Sequence, residues 1–223
     1  MMDTTQTLQE TVTEREDRHT SGAYPKRPLT VVRGAGCTVW DEADNTYLDA
    51  TSGQGVALLG HSHPAVTEAI EQQANTLITS PEIFYNDRRA ELYDTLSAMM
   101  PGTLRRYFLC NSGTEAIEGA LKVASLLTDR TGIIAAKRSF HGRTLGSLSL
   151  TWNPKYRKAF AEWQPAVQHI TYGDLDDLRH TINHDTAAIV VEAIQGEGGV
   201  HPATRSYLQE IRTLCDEYGA MMI

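Results

Sequence analysis

The sequence predicts an α/β protein: a mostly parallel central sheet flanked by helices, with a small antiparallel element near the N-terminus. From residue 106 onward, short apolar runs alternate with stretches of helical periodicity, the pattern of a parallel sheet covered on both faces. Before that point, three short strand-like runs are separated by Gly34-Ala35-Gly36 and by Glu42-Ala43-Asp44-Asn45, which reads as an antiparallel meander. Hydrophobic residues make up 41% and charged residues 22% of the 223-residue chain, so a sizeable core is affordable and global disorder is excluded.

In order, strands are expected over 29–33, 37–40 and 46–48. Gly60-His61-Ser62-His63-Pro64 then breaks the chain, and Pro64 suits the first turn of a helix whose apolar face is Val66, Ala69, Ile70 and Leu77. A second helix covers 88–99 and ends at Pro101-Gly102. Strands follow at 106–110, 133–137, 147–151, 167–171, 187–192 and 220–223, with helices at 115–127, 174–182 and 204–218. Ligands of such sheets sit beyond the carboxyl ends of strands, where Asn111 and Glu192 fall. Residues 220–223 read as a buried strand with no terminating turn, a poor natural terminus, so an incomplete chain is expected.

The bulk properties exclude several function classes. A formal net charge of −8 argues against a phosphate-backbone partner, so no nucleic-acid binding is expected. No apolar run approaches a membrane span. Cys37, Cys110 and Cys215 are odd in number and widely spaced, which points to neither a disulfide framework nor a zinc site and fits a reducing cytoplasm. Residues 1–18 lack an apolar targeting core and carry acids that a mitochondrial presequence avoids; they read as a mobile or partner-draped arm.

Three segments carry chemistry. Asn111-Ser112-Gly113-Thr114 before a helix offers a glycine turn, two hydroxyls and free amides, a ready-made anion seat, although Ser112 and Thr114 alone also read as plain helix caps. Phe140-His141-Gly142-Arg143-Thr144 sets a π face beside a guanidinium able to grip a carboxylate, although Phe140 and His141 would also serve as core residues. Glu192 ends an apolar strand, where a carboxylate needs a partner, and Glu197 follows in Gly196-Glu197-Gly198-Gly199. Together they point to a phosphorylated aromatic cofactor acting on an anionic substrate. His61 and His63 lack a third ligand nearby, so no metal site is assigned. Tyr85, in Ser80-Pro81-Glu82-Ile83-Phe84-Tyr85-Asn86, is a loop residue with a pocket role open.

Taken in order, these segments resemble class III aminotransferases, which use pyridoxal 5'-phosphate and include acetylornithine aminotransferase. The resemblance runs from about Tyr24 to Ile223 and rests on Val39-Trp40-Asp41, Tyr47-Leu48-Asp49, Gly60-His61-Ser62-His63-Pro64, Asn111-Ser112-Gly113-Thr114-Glu115-Ala116, Phe140-His141-Gly142-Arg143-Thr144, Pro154-Lys155-Tyr156 and Gln195-Gly196-Glu197-Gly198-Gly199. It implies fold type I and a homodimer in the full-length form, with active sites at the interface. The expected division is an N-terminal arm (1–28), the N-terminal segment of the small domain (29–60) and a partial large cofactor-binding α/β domain, truncated (61–223).

Carried over residue by residue, the resemblance implies that Ser112, Gly113 and Thr114 hold the cofactor phosphate. Phe140 would stack on the pyridine ring, with His141 beside it, and Arg143 would bind a substrate carboxylate. Glu197 resembles the acid that pairs with a second, gating arginine, and Glu192 resembles an acid that supports the cofactor site. The chemistry implied is transfer of an amino group from an acylated diamino acid, acetylornithine-like, to 2-oxoglutarate in arginine or lysine biosynthesis. Arg143 favours the transaminases over the glutamate-semialdehyde aminomutases, which as a family lack an arginine at that step. Pro28-Leu29-Thr30-Val31-Val32-Arg33-Gly34 and Ser147-Leu148-Ser149-Leu150-Thr151-Trp152 look most like the acetylornithine and acyl-lysine branch. Gln54 departs from the Tyr or aliphatic residue often found there and joins Tyr85 among the substrate-contact candidates.

In the family, the strand matching 220–223 is followed by an Asp that bonds the pyridine nitrogen and later by the Schiff-base Lys. Neither matches a residue of this chain: Lys26, Lys122, Lys137, Lys155 and Lys158 stand elsewhere, so no catalytic residue is assigned and this stretch alone is expected to be inactive. Two alternatives stay open: ornithine or 4-aminobutyrate aminotransferase within the family, and a non-catalytic remnant or dimerisation module of the same fold.

Overall fold

The computed structural model describes residues 10–223, so the arm expectation for residues 1–9 lies outside the described residues. The chain divides into two compact units between Ala90 and Glu91.

In the first unit, α1 (Val12–Asp17) starts at a capping box: the Thr11 hydroxyl accepts the Glu14 N–H, and the Glu14 carboxylate accepts the Thr11 N–H at 2.8 Å. Strands β1 (Val31–Ala35), β2 (Thr38–Asp41) and β3 (Thr46–Leu48) form the expected antiparallel sheet in the order β1-β2-β3. The turn between β2 and β3 is shaped by Asp41, whose carboxylate accepts the amides of Ala43 and Asn45 at 2.9 Å each. A short turn, α2 (Ser52–Gly55), follows, then α3 (Pro64–Thr76) with Pro64 in its first turn, as expected. Next comes α4 (Asp87–Met99), which runs across the boundary between the units and is one residue longer at its start than the sequence suggests.

The second unit is a four-stranded parallel sheet with helices on both faces. After α5 (Gly113–Thr128) come β4 (Gly132–Ala136), α6 (Leu145–Leu150), α7 (Pro154–Arg157) and a 3-10 turn over Lys158–Trp163. Then follow β5 (Val167–Ile170), α8 (Leu175–Thr181), β6 (Thr186–Val190), the short hairpin β7 (Ile194–Gln195) with β8 (His201–Pro202), α9 (Arg205–Tyr218) and β9 (Met221–Met222). The sheet order is β5-β4-β6-β9, every neighbouring pair parallel.

Strand alternation divides the core. Ile134 of β4 and Ile189 of β6 face α8 and α9, where Leu178, Ile182, Tyr207, Ile211, Leu214 and Cys215 are buried. The next residues along, Ala135 and Val190, face Leu150, Ile117 and Leu121 of α6 and α5. Tyr207, Ile211, Leu214 and Cys215 are spaced as one face of a helix, and Gly219 closes α9 at φ +65 in the left-handed conformation that suits glycine.

Two expected strands are absent. Residues 147–151 lie in and just after α6, because their hydroxyls bond back onto the helix: Ser149 Oγ donates to the Gly146 carbonyl at 2.5 Å. Residues 106–110 have no regular secondary structure and join no sheet among the described residues. β4 is paired on both sides by β5 and β6, the outer edges of β5 and β9 do not pair with 106–110 either, and Phe108 is 77% exposed. Asn111 therefore follows an unpaired segment, whereas Glu192 stands just past the carboxyl end of β6, as expected.

Candidate functional site

Ser112 is the N-cap of α5, and its hydroxyl accepts the Glu115 N–H at 3.3 Å. Glu115 reaches back to the Asn111 amide at 2.7 Å, which fixes the entry of the chain and holds the Glu115 carboxyl below its usual range, the Asn111 amide being the main cause. The next two amides, of Gly113 and Thr114, have no protein acceptor among the described residues, and a Cβ built on Gly113 would meet nothing within 4 Å. The first turn of α5 is thus an open pair of donors at a helix N-terminus.

The segment 139–151 is held over this turn by hydroxyls. Thr114 Oγ1 lies 2.8 Å from Thr144 Oγ1 and 2.6 Å from Ser147 Oγ. Glu118, one turn further along α5, accepts the Gly146 and Ser147 amides at 2.8 and 3.1 Å and the Thr144 hydroxyl at 2.5 Å. Gly142, at φ +131, passes so close that a Cβ there would stand 2.4 Å from Thr114 Oγ1. Glycine is required there by conformation and by space.

His141 donates its amide to Thr151 Oγ1 at 2.9 Å, and its ring Nε2 is buried without a hydrogen-bond partner. Burial, with a smaller contribution from nearby His169, pushes its pKa down to about 4, so the imidazole is neutral at pH 7. Phe140 meets Tyr156 edge-on at 6.0 Å, which fixes its ring plane. Phe140 and Glu197 line one cleft of about 330 Å³ together with Arg138, Trp152, Tyr156 and Gly198.

Glu192 is half-buried. Burial raises its carboxyl above the usual range against the opposing pull of the Gly196 amide, the Gln195 side chain and the Phe140 amide, and its Oε2 is buried without a partner. Gln195, fully buried, ties this corner to β4 by donating to the Lys137 carbonyl at 2.9 Å.

The second unit therefore brings together Ser112, Gly113 and Thr114 with the loop of Phe140 and His141, and through the Phe140 amide with Glu192; Glu197 shares the Phe140 cleft. Arg143 is exposed, between Gly142 and Thr144. Gln54 and Tyr85 are exposed residues of the first unit. Gln54 lies in a left-handed turn, with Ser52, Gly53 and Gln54 at φ +50, +59 and +61. That turn is held by Asp49, whose carboxylate accepts the Thr51 and Gly53 amides at 2.9 and 2.8 Å and pairs with His61 Nε2 at 2.7 Å. The sequence motifs contain Thr144, Ser147 and Asp49 without assigning them a role, and do not include Glu118. The available signal for Glu118 was its place four residues after Thr114, on the same helix face, ahead of a run of hydroxyl residues.

The family model described as aminotransferase class-III matches residues 20–223. A [LysW]-aminoadipate semialdehyde transaminase of Deinococcus radiodurans is 47% identical over 210 residues, covering 93% of this chain and 49% of that protein. An acetylornithine aminotransferase of Methanopyrus kandleri is 42% identical over 207 residues, covering 93% of this chain and 53% of that protein. The solved structure of an ornithine aminotransferase from Toxoplasma gondii superposes with a TM-score of 0.85 at 28% identity, over 93% of this chain and 50% of that one. The chain spans about half the length of the curated relatives it matches. With the match extending over most of its length, this chain belongs to the class III aminotransferase family.

Proposed function

We propose that the protein carrying this chain is a pyridoxal-phosphate-dependent aminotransferase that moves an amino group from an acylated diamino acid to 2-oxoglutarate, in arginine or lysine biosynthesis. The observation that carries this reading is the pairing of an open anion seat with buried polar atoms that lack partners. The amides of Gly113 and Thr114 stand open at the start of α5, and Glu192 Oε2 and His141 Nε2 are each buried without a hydrogen-bond partner. Such atoms cost free energy unless a polar group meets them, so the residues fit a phosphorylated heteroaromatic cofactor. The names of the relatives support the choice of an acylated or carrier-linked semialdehyde and amine pair.

In this reading Ser112, Gly113 and Thr114 hold the phosphate, and Phe140, kept in plane by Tyr156, covers the ring. Neutral His141 fills the space beside it without adding charge. Bound there, the cofactor supplies an electron sink for amino-group transfer. Arg143 grips a carboxylate of the substrate, Glu197, which lines the Phe140 cleft, pairs with a second, gating arginine, and Glu192, its carboxyl raised by burial, supports the cofactor site. Gln54 and Tyr85 are proposed to contact the donor. The full-length protein is proposed to be a cytoplasmic homodimer, and the 223 residues alone are proposed to lack turnover, since none of their lysines matches the family's Schiff-base position.

The test uses the full-length protein with pyridoxal phosphate, an acylated diamino acid and 2-oxoglutarate. Arg143→Ala should raise KM for 2-oxoglutarate about 10- to 100-fold, the loss of one charge-assisted carboxylate contact, with cofactor affinity nearly unchanged. Equal loss of both would remove Arg143 from the carboxylate role. No cofactor-dependent turnover at all would remove the function.

A further inference from the structure

Thr114 belongs to the proposed phosphate seat, yet its hydroxyl faces inward. It lies 2.8 Å from Thr144 Oγ1 and 2.6 Å from Ser147 Oγ, and Thr144 Oγ1 donates to Glu118. Ser147 Oγ closes the cluster, 2.9 Å from Thr144 Oγ1 and donating to the Thr144 carbonyl at 3.2 Å, so with the Thr144 proton on Glu118 the Thr114 hydroxyl has two internal acceptors, Thr144 Oγ1 and Ser147 Oγ. The three hydroxyls thus form a closed cluster anchored on one carboxylate, and the Thr114 hydroxyl is turned toward it. Its backbone N–H, with no protein acceptor among the described residues, is the donor left open to an outside anion.

Glu118 does more than anchor this cluster. The same oxygen accepts two amides of the first turn of α6, Gly146 N and Ser147 N. The backbone comes as near as it can: a Cβ at Gly146 would stand 2.4 Å from Glu118 Oε2, as one at Gly142 would from Thr114 Oγ1. A simple cap for α6 would need the carboxylate and the two amides, but not the hydroxyl chain that leads back to the first turn of α5.

We propose that Glu118 is a positioning residue for the phosphate seat: through Thr144 and Ser147 it fixes the Thr114 side chain, and with it the direction of the Gly113 and Thr114 amides. This rests on the pyridoxal-phosphate reading above. Thr114 then contributes to phosphate binding by its amide, while its hydroxyl serves the internal chain.

The test is titration of the full-length apoprotein with pyridoxal phosphate and with pyridoxal, which lacks the phosphate. Glu118→Ala should weaken pyridoxal phosphate about 10- to 100-fold and pyridoxal by less than about 3-fold, while Glu118→Gln, which keeps an acceptor oxygen, stays within about 3-fold of the parent for both. Thr114→Val added to Glu118→Ala should cost little more, because the two act as one unit. Thr144→Val cuts the chain without removing the acid and carries the same expectation, should Glu118→Ala fail to fold. A purely structural role would weaken both ligands alike or neither, and either result would overturn the inference while leaving the function standing. Additive losses would place the Thr114 hydroxyl on the phosphate and overturn it too. A parent protein that binds neither ligand would overturn the function and the inference together.

Discussion

His141 should make the protein lose stability in mild acid. Its folded pKa is about 4 against 6.5 for the free side chain, because burial disfavours the imidazolium and His169 adds a smaller push. Above about pH 6.5 the ring is neutral in both folded and unfolded chains and gives no pH slope. Between 6.5 and 4 the unfolded chain takes up the proton first, so stability falls as pH falls, and the slope ends below the folded value. At about 1.4 kcal/mol per pH step the full loss has a ceiling of about 3 kcal/mol, and residual solvent contact of the ring brings the expected value to roughly 1–3 kcal/mol. His169 is also held low by burial, and its side chain loads the same window. The assay is therefore a difference: urea midpoints of the parent and of His141→Gln at intervals across this window, with constant ionic strength. The variant should show the shallower decline. Parallel curves would show that the ring is protonated without cost and refute the buried neutral histidine.

Two further substitutions probe backbone geometry. Gly142→Ala must accommodate φ +131 and a Cβ 2.4 Å from Thr114 Oγ1 and 2.6 Å from Ser147 Oγ, so it should lower stability by about 2 kcal/mol or more, read as a drop in Tm; an unchanged Tm would deny the close approach. Asp49→Asn removes the carboxylate that holds the left-handed turn, where Ser52 and Gln54 each cost about 1–2 kcal/mol of conformational energy. Amide exchange over residues 51–55 should quicken while the global midpoint moves little, and unchanged protection would show that the turn holds itself.

The sheet was legible because its signals are local and redundant. Gly34-Ala35-Gly36 and the Asp41-centred turn mark where the N-terminal strands reverse, and the apolar runs of β4 and β6 mark the two strands that are buried on both faces. Residues 106–110 carry the same apolar signal, but a strand forms only where the fold lays the segment against a sheet edge, and a local apolar run does not display that placement. Residues 147–151 misled for a different reason. A short run of alternating Ser and Leu fits a strand as well as a buried helical turn, and what decides is the set of acceptors around it: Glu118 for its amides and its own carbonyls for its hydroxyls. The site divides in the same way. Ser112, Gly113 and Thr114 announce themselves at a helix start, whereas Glu118 looks like any solvated helical acid until Thr144 and Ser147 are placed against it.

The misread segment is also the one on which the proposed site depends. A six-residue helix such as α6 has too few internal hydrogen bonds to persist by itself. Two amides of its first turn are satisfied by Glu118 of α5, and Leu150 is fully buried against Ala135 and Val190. Formation of α6 therefore requires that α5 and the sheet be in place, and the loop of Phe140 to Thr144 rests on the same groups: Glu118 accepts the Thr144 hydroxyl and Thr151, just past α6, accepts the His141 amide. By this order the anion seat and the aromatic cover are stabilised by the same contacts and are gained or lost together. A local conflict between strand propensity and helical context then marks where the fold trades sequence consistency for a rigid site.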